Sequence, residues 1–144
     1  MMIEIVSNSP EETFSLGKQI SSRLSESSVI ALRGVLGSGK TCMVKGIALG
    51  LGITENITSP TYTIVNEYAK EDTTFLYHID AYRLSNDKDF EDIGGNEILN
   101  SGGISIIEWS ERIPNSIPSD SIIISMEITG DTSRLIKING MEKL

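Results

Sequence analysis

Residues Gly34-Val35-Leu36-Gly37-Ser38-Gly39-Lys40-Thr41 match G-x-x-x-x-G-K-[ST] at every fixed position, and each fixed residue type has a chemical purpose. Glycines at 34, 37 and 39 let the backbone turn successive N–H groups toward an anion. Lys40 adds a point charge for outer phosphates and Thr41 a hydroxyl for Mg²⁺, while the start of the following helix contributes partial positive charge. Such sites also need an acid at a strand end. Ile104-Ser105-Ile106-Ile107-Glu108 supplies one, and Glu108 can hold Mg²⁺ directly or through water. Trp109, beside it, falls near any bound nucleotide. A second acid, Asp80, ends the β-rich run Thr73–Asp80, where His78 and Asp80 project to the same face. Asp80 reads as a metal or water ligand. His78, the sole histidine, reads as a satisfied core or edge side chain, because a metal role is poorly supported without a second histidine.

The flanking elements suit this chemistry. Val29-Ile30-Ala31-Leu32 is an apolar run of strand length before the loop, and Met43, Val44, Ile47, Ala48 and Leu51 follow at helical spacing, with Gly52 as the stop. Upstream, Met2–Val6 reads as a strand. Ser9-Pro10-Glu11-Glu12 starts a helix with an N-cap, a proline at the first turn and a capping box. Phe14, Gly17, Ile20 and Leu24 mark its expected inner face, and Ser25–Ser28 ends it. Residues 51–62 lack a helical period and are rich in hydroxyls around Pro60, which predicts an exposed loop. Thr58, Ser59 and Thr61 in it are either a phosphate-sensing switch or a plain turn.

The runs Thr61–Tyr68 and Thr73–Asp80 predict a hairpin, and Asn86–Leu99 two short helices whose acid cluster is a solvated face. Ile122–Ile128 and Arg134–Ile138 predict a C-terminal hairpin around Gly130–Ser133. Together these elements predict an α/β, P-loop NTPase-like three-layer fold with a mixed, largely parallel central sheet and a C-terminal antiparallel hairpin. Its 144 residues are expected to form a single domain, 1–144.

With 12 Lys+Arg against 20 Asp+Glu, the net charge of -8 argues against an independent nucleic-acid surface. One cysteine, Cys42, cannot form an internal disulfide and reads as a small apolar side chain. No apolar run reaches the length of a membrane span, and Met1–Val6 lacks the basic lead and apolar core of a secretory signal, so a cytoplasmic protein is expected.

Four separated stretches together resemble the TsaE family, formerly YjeE, the bacterial ATPase of threonylcarbamoyladenosine (t6A) biosynthesis on tRNA. They are the loop Gly34–Thr41, Ser59-Pro60-Thr61-Tyr62-Thr63, Tyr77-His78-Ile79-Asp80-Ala81-Tyr82-Arg83-Leu84 and Ile107-Glu108-Trp109-Ser110. Weaker similarity extends over nearly the whole chain, including Glu11-Glu12-Thr13, Leu16-Gly17 and Arg134. The resemblance implies an ATPase that binds and hydrolyses Mg-ATP to ADP beside TsaB and TsaD. TsaD performs threonylcarbamoyl transfer, and tRNA is reached only through the complex. It further implies that Gly37, Ser38, Gly39, Lys40, Thr41, Cys42, Thr13, Trp109 and Arg134 bind the nucleotide, with Lys40 on the β/γ-phosphates. Thr41 and Glu108 would ligate Mg²⁺, Asp80 would orient or deprotonate the attacking water, and Thr61 would sense the γ-phosphate. The family commonly has an acid directly after the first loop glycine, where this chain has Val35.

Three other uses of the loop are distinguishable. A signalling GTPase needs Asn-Lys-x-Asp, and Asn86-Asp87-Lys88-Asp89 misses that order. A small-molecule kinase needs an arginine-bearing lid, and the five arginines are scattered. A nucleotide-gated docking module would bind partners with little turnover. Arg83 and Arg112 are the chain's own candidates for an arginine finger, which a partner could equally supply.

Overall fold

The computed structural model describes residues 2–58, 60, 64–70 and 73–144, with the side chains of all but 73 and 74 among them. The chain opens with strand β1 (Met2–Ser7) and helix α1 (Pro10–Ser21). The Ser9 hydroxyl accepts the Glu12 N–H at 3.1 Å, and the Glu12 carboxylate accepts from Asn8 N–H at 2.6 Å, so the reciprocal cap reaches one residue further upstream than expected. Two serine hydroxyls, Ser21 on Lys18 O and Ser22 on Gln19 O, accompany the helix end. The inner face consists of Thr13, Leu16, Gly17, Ile20 and Ser21; Phe14 is only half-buried and Leu24 lies beyond the helix, which corrects the expected face.

Strand β2 (Val29–Gly34) delivers the chain to the loop, and α2 (Lys40–Gly50) carries it away. Val29–Leu32 are all buried, as a strand covered on both faces requires. The end of α2 is closed by Gly52 N–H on Leu49 O and Ile53 N–H on Ala48 O, each 3.0 Å, the paired bonds of a Schellman end. α1 and α2 pack closely because Gly17 and Gly46 present backbone to each other's helix. A methyl on Gly17 would lie 2.6 Å from Met43 O.

β3 (Val65–Lys70), β4 (Thr73–Asp80), α3 (Asp87–Asp92), α4 (Gly95–Leu99), β5 (Ile104–Glu108), β6 (Ile122–Ile128) and β7 (Arg134–Asn139) follow. The sheet order is β1-β7-β6-β2-β5-β4-β3. β6, β2, β5 and β4 pair in parallel, while β7 is antiparallel to both β6 and β1, and β3 is antiparallel to β4. Helices α1 and α2 cover one face over Ile30, Leu32, Ile106, Ile124 and Ile136. Phe90 of α3, Leu99 of α4 and Ile113 cover the other over Val29, Ile79 and Ile107. This is the expected three-layer architecture, with the predicted C-terminal hairpin extending the sheet. Among the described residues no helix is long and apolar enough to cross a membrane.

The segment after α2 differs from the exposed loop that its composition suggests. Ile53 and Ile57 are buried in the main core with Tyr68, whose hydroxyl donates to Thr58 O at 3.4 Å. Two isolated isoleucines carry enough apolar area to pin a segment that has no helical period. Ser59 and residues 61–63, including Thr61, lie outside the described residues; the rest of the expected hairpin is present as β3 paired antiparallel with β4.

Candidate functional site

The site forms where parallel strands β2, β5 and β4 end. Leu32, Glu108 and Asp80 stand in register across them, so both acids point to the face that carries α2. The phosphate loop leaves β2 at this edge. Gly37 and Gly39 have φ of 83° and 101°, values that a side chain rarely adopts, and Gly39 is the N-cap of α2. The first N–H groups of a helix have no intrahelical partner, so this turn presents donors and positive partial charge.

Lys40 is buried at the first position of α2. Its ammonium donates to Gly34 O and lies 4.4 Å from the centre of the Trp109 ring. Trp109 itself has φ 58°, a left-handed conformation that turns the chain directly after Glu108. Its ring lies 5.0 Å from that of Tyr82, over which the Arg112 guanidinium stands at 5.2 Å. Trp109 is therefore beside Lys40. Thr41 is half-buried at the second position of α2.

Glu108 is 5% exposed, and its Oε2 accepts from His78 Nε2 at 2.5 Å. The sequence reading of His78 as a core side chain holds for its burial but misses this partner. The spacing His78-x-Asp80 places these two on one face of the strand but does not name Glu108. Asp80 is half-buried, and its Oδ1 accepts the Tyr82 N–H at 3.0 Å. Burial pushes the Asp80 carboxyl above its usual range. The Tyr82 N–H opposes the rise, the Glu108 carboxylate adds to it, and His78 and Lys40 oppose it.

The described residues contain no group of three His, Cys, Asp or Glu side chains able to enclose a metal. The donors present are instead one hydroxyl, Thr41, and the carboxylates of Glu108 and Asp80. They fit Mg²⁺, which takes one or two carboxylates and completes its shell with phosphate oxygens and water.

On the outer side of the loop lies a cavity of about 230 Å³ lined by Ser9, Pro10, Thr13, Cys42, Asp131, Thr132 and Arg134, together with Gly37, Ser38 and Gly39. Thr13 is buried with its hydroxyl 2.7 Å from that of Ser7, and Cys42 Sγ donates to Pro10 O at 3.1 Å. Burial pushes the Cys42 thiol above its usual range, with the Lys45 charge opposing the rise. Arg134 lines this cavity, but its guanidinium is committed to backbone. It donates to Ser38 O at 3.2 Å, Gly37 O at 3.1 Å, Gly130 O at 3.0 Å and Ser133 O at 2.8 Å. It ties the phosphate loop to the β6–β7 turn. Asp131 and Thr132, in that turn, carry no local signal of belonging to a site.

Val35 and Leu36 form the loop tip at 60% and 89% exposure. Val35 lines a groove with Arg33, Met126, Ile128 and Leu135, on a wall separate from the cavity beside Arg134.

The model of the family "Threonylcarbamoyl adenosine biosynthesis protein TsaE" matches residues 7–136. The tRNA threonylcarbamoyladenosine biosynthesis protein TsaE of Treponema pallidum (strain Nichols) is 44% identical over 133 residues, covering 92% of this chain and 97% of the relative. That of Aquifex aeolicus (strain VF5) is 39% identical over 140 residues, covering 96% of each. The crystal structure of Bacillus subtilis YdiB matches with a TM-score of 0.81 at 32% identity, over 96% of this chain and 84% of that one. With the phosphate loop and its facing acids in place, this similarity over nearly the full length shows that the chain belongs to the TsaE family of tRNA threonylcarbamoyladenosine biosynthesis.

Proposed function

We propose that this protein binds and hydrolyses Mg-ATP, and that this ATPase cycle drives or resets a TsaB–TsaD complex during t6A modification of tRNA in the cytoplasm. The observation that carries the reading is the arrangement around Lys40: a glycine-built loop opening α2, with Glu108 and Asp80 side by side at the facing strand ends. In this reading Lys40 leaves Gly34 O and the Trp109 ring for the outer phosphates, and the N–H groups at the start of α2 hold the same oxygens. Thr41 and Glu108 would hold Mg²⁺, which when bound would supply positive charge to the outer phosphates.

Asp80, whose carboxyl binds its proton more tightly than an ordinary aspartate, orients the attacking water and accepts its proton. Thr61 senses the γ-phosphate. Arg134 shapes the nucleotide site by holding the loop, and the cavity bordered by Thr13 and Thr132 takes the nucleoside side of ATP. The arginine comes from Arg83, from Arg112, which stands over the Tyr82 ring, or from a partner.

A second reading, a nucleotide-gated docking module with little turnover, is favoured by the exposed Val35 and Leu36, apolar surface that a partner could cover beside the nucleotide. Mg²⁺-dependent ATP hydrolysis, measured alone and then with TsaB, TsaD and tRNA, separates the two. A rate that rises with the partners supports the coupled ATPase. ATP-dependent partner binding without turnover supports the docking module, and no ATP binding sinks both.

A further inference from the structure

We infer that His78 is a positioning residue of the cation site, holding the Glu108 carboxylate by Oε2 so that Oε1 is the oxygen offered to the cation. The inference rests on the reading of Glu108 as a Mg²⁺ ligand.

Leu76, His78 and Asp80 occupy successive positions on one face of β4 and change in character along it. Leu76 belongs to the core, Asp80 to the site, and His78, with 0% of its surface exposed, stands at the boundary. An apolar side chain would fill that position at lower cost, because a buried imidazole must recover the hydrogen bonds that it loses to water. Among the described residues His78 makes one hydrogen bond, to Glu108, and its Nδ1 has no partner. A histidine retained for packing would normally satisfy both nitrogens.

The register explains how the two side chains meet. β4 and β5 pair His78 with Ile106 and Asp80 with Glu108, so His78 and Glu108 are diagonal neighbours on one face. An ionised carboxylate only accepts, so Nε2–H is the donor and the proton lies on that nitrogen. Glu108 is itself buried, and an unanchored carboxylate there would choose between rotamers and between its two oxygens. The 2.5 Å bond removes that choice. Partners of this kind fix the orientation of a metal ligand, and their loss typically costs roughly 10- to 100-fold in metal affinity.

The test follows binding of a fluorescent ATP analogue to the full-length protein across a Mg²⁺ titration. Wild type, His78→Gln, His78→Asn and Glu108→Ala are compared, with affinity in EDTA measured for each. Glutamine can place an amide N–H near the position of Nε2, whereas asparagine reaches only that of Nδ1. His78→Asn is expected to raise the half-saturating Mg²⁺ concentration by roughly 10- to 100-fold with EDTA affinity unchanged, and His78→Gln to stay close to wild type.

An unchanged Mg²⁺ requirement in His78→Asn, equal shifts in both histidine variants, or an EDTA affinity that falls in step with the Mg²⁺-dependent one would overturn the inference. If Glu108→Ala leaves the Mg²⁺ requirement unchanged, the ligand reading itself fails, and the inference with it. A shift in Glu108→Ala without one in His78→Asn overturns the inference alone.

Discussion

Asp80 and Glu108 are register partners at the ends of two parallel strands, and their carboxylates share the face on which the phosphate loop turns into α2. Asp80→Asn retains the acceptor for the Tyr82 N–H but removes the charge and, with it, the proposed proton acceptor. Hydrolysis should fall by roughly 10²- to 10⁴-fold, the usual contribution of a positioned base, with ATP affinity nearly unchanged. Isothermal titration and a phosphate-release assay check this. Equal loss of both would assign Asp80 to structure.

The same substitution has a stability signature. Because burial, with Glu108 adding to it, raises the folded-state affinity of Asp80 for its proton, the folded state binds protons more tightly than the unfolded chain does. That contribution is fully present below the ordinary aspartate value, about 3.9, and is lost as pH rises through the raised folded value. At neutral pH the ionised carboxylate therefore costs stability. Asp80→Asn should raise Tm at neutral pH, and thermal melts should show the gain shrinking as the pH falls toward about 4. A gain independent of pH would refute the electrostatic cause.

Lys40→Ala removes the ammonium that is held by Gly34 O and the Trp109 ring. Hydrogen bonds to a charged group contribute about 1.5–3 kcal/mol, so ATP affinity should weaken by roughly 10- to 100-fold. Calorimetry provides the comparison, and wild-type affinity would displace the nucleotide from this loop.

Arg134→Ala leaves four backbone carbonyls of the loop and the β6–β7 turn without their shared donor. A loss of about 1–3 kcal/mol is expected in chemical denaturation, together with weaker ATP binding. Lys should not rescue either property, because one ammonium cannot reproduce a planar fork spanning both segments. Full rescue by Lys would show that charge, and not bracing, is what matters.

Gly39→Ala puts a side chain at φ 101°, where its Cβ would also approach Met126 Cε to 3.3 Å. The left-handed conformation alone costs about 1–2 kcal/mol. Both the denaturation midpoint and ATP affinity should drop. An unchanged affinity would mean that the loop does not need this conformation to bind phosphate.

Most of the candidate site was legible because it is written locally. The glycine spacing, the strand before it and the helical period after it lie within 24 consecutive residues, Val29 to Gly52, and Glu108 and Asp80 each end an apolar or β-rich run. The capped start of α1 was equally local, a serine, a proline and a glutamate in succession. Where local signals were weak, the reading slipped. Ile53 and Ile57 entered the core from a segment that lacked a period, and the inner face of α1 took Leu16 in preference to Phe14.

The sequence by itself determined the phosphate loop, the elements around it and the acids at their ends, since turn chemistry and side-chain periodicity act over a few residues. Only the tertiary structure decided the strand order, which seats β6 beside β2 and β7 on the far side of β6, and so brings Arg134 to the carbonyls of Gly37 and Ser38, 97 and 96 residues away. It alone paired His78 with Glu108 across β4 and β5. Pairing between distant strands is settled by which faces bury together, and no one-dimensional pattern around either residue records its partner.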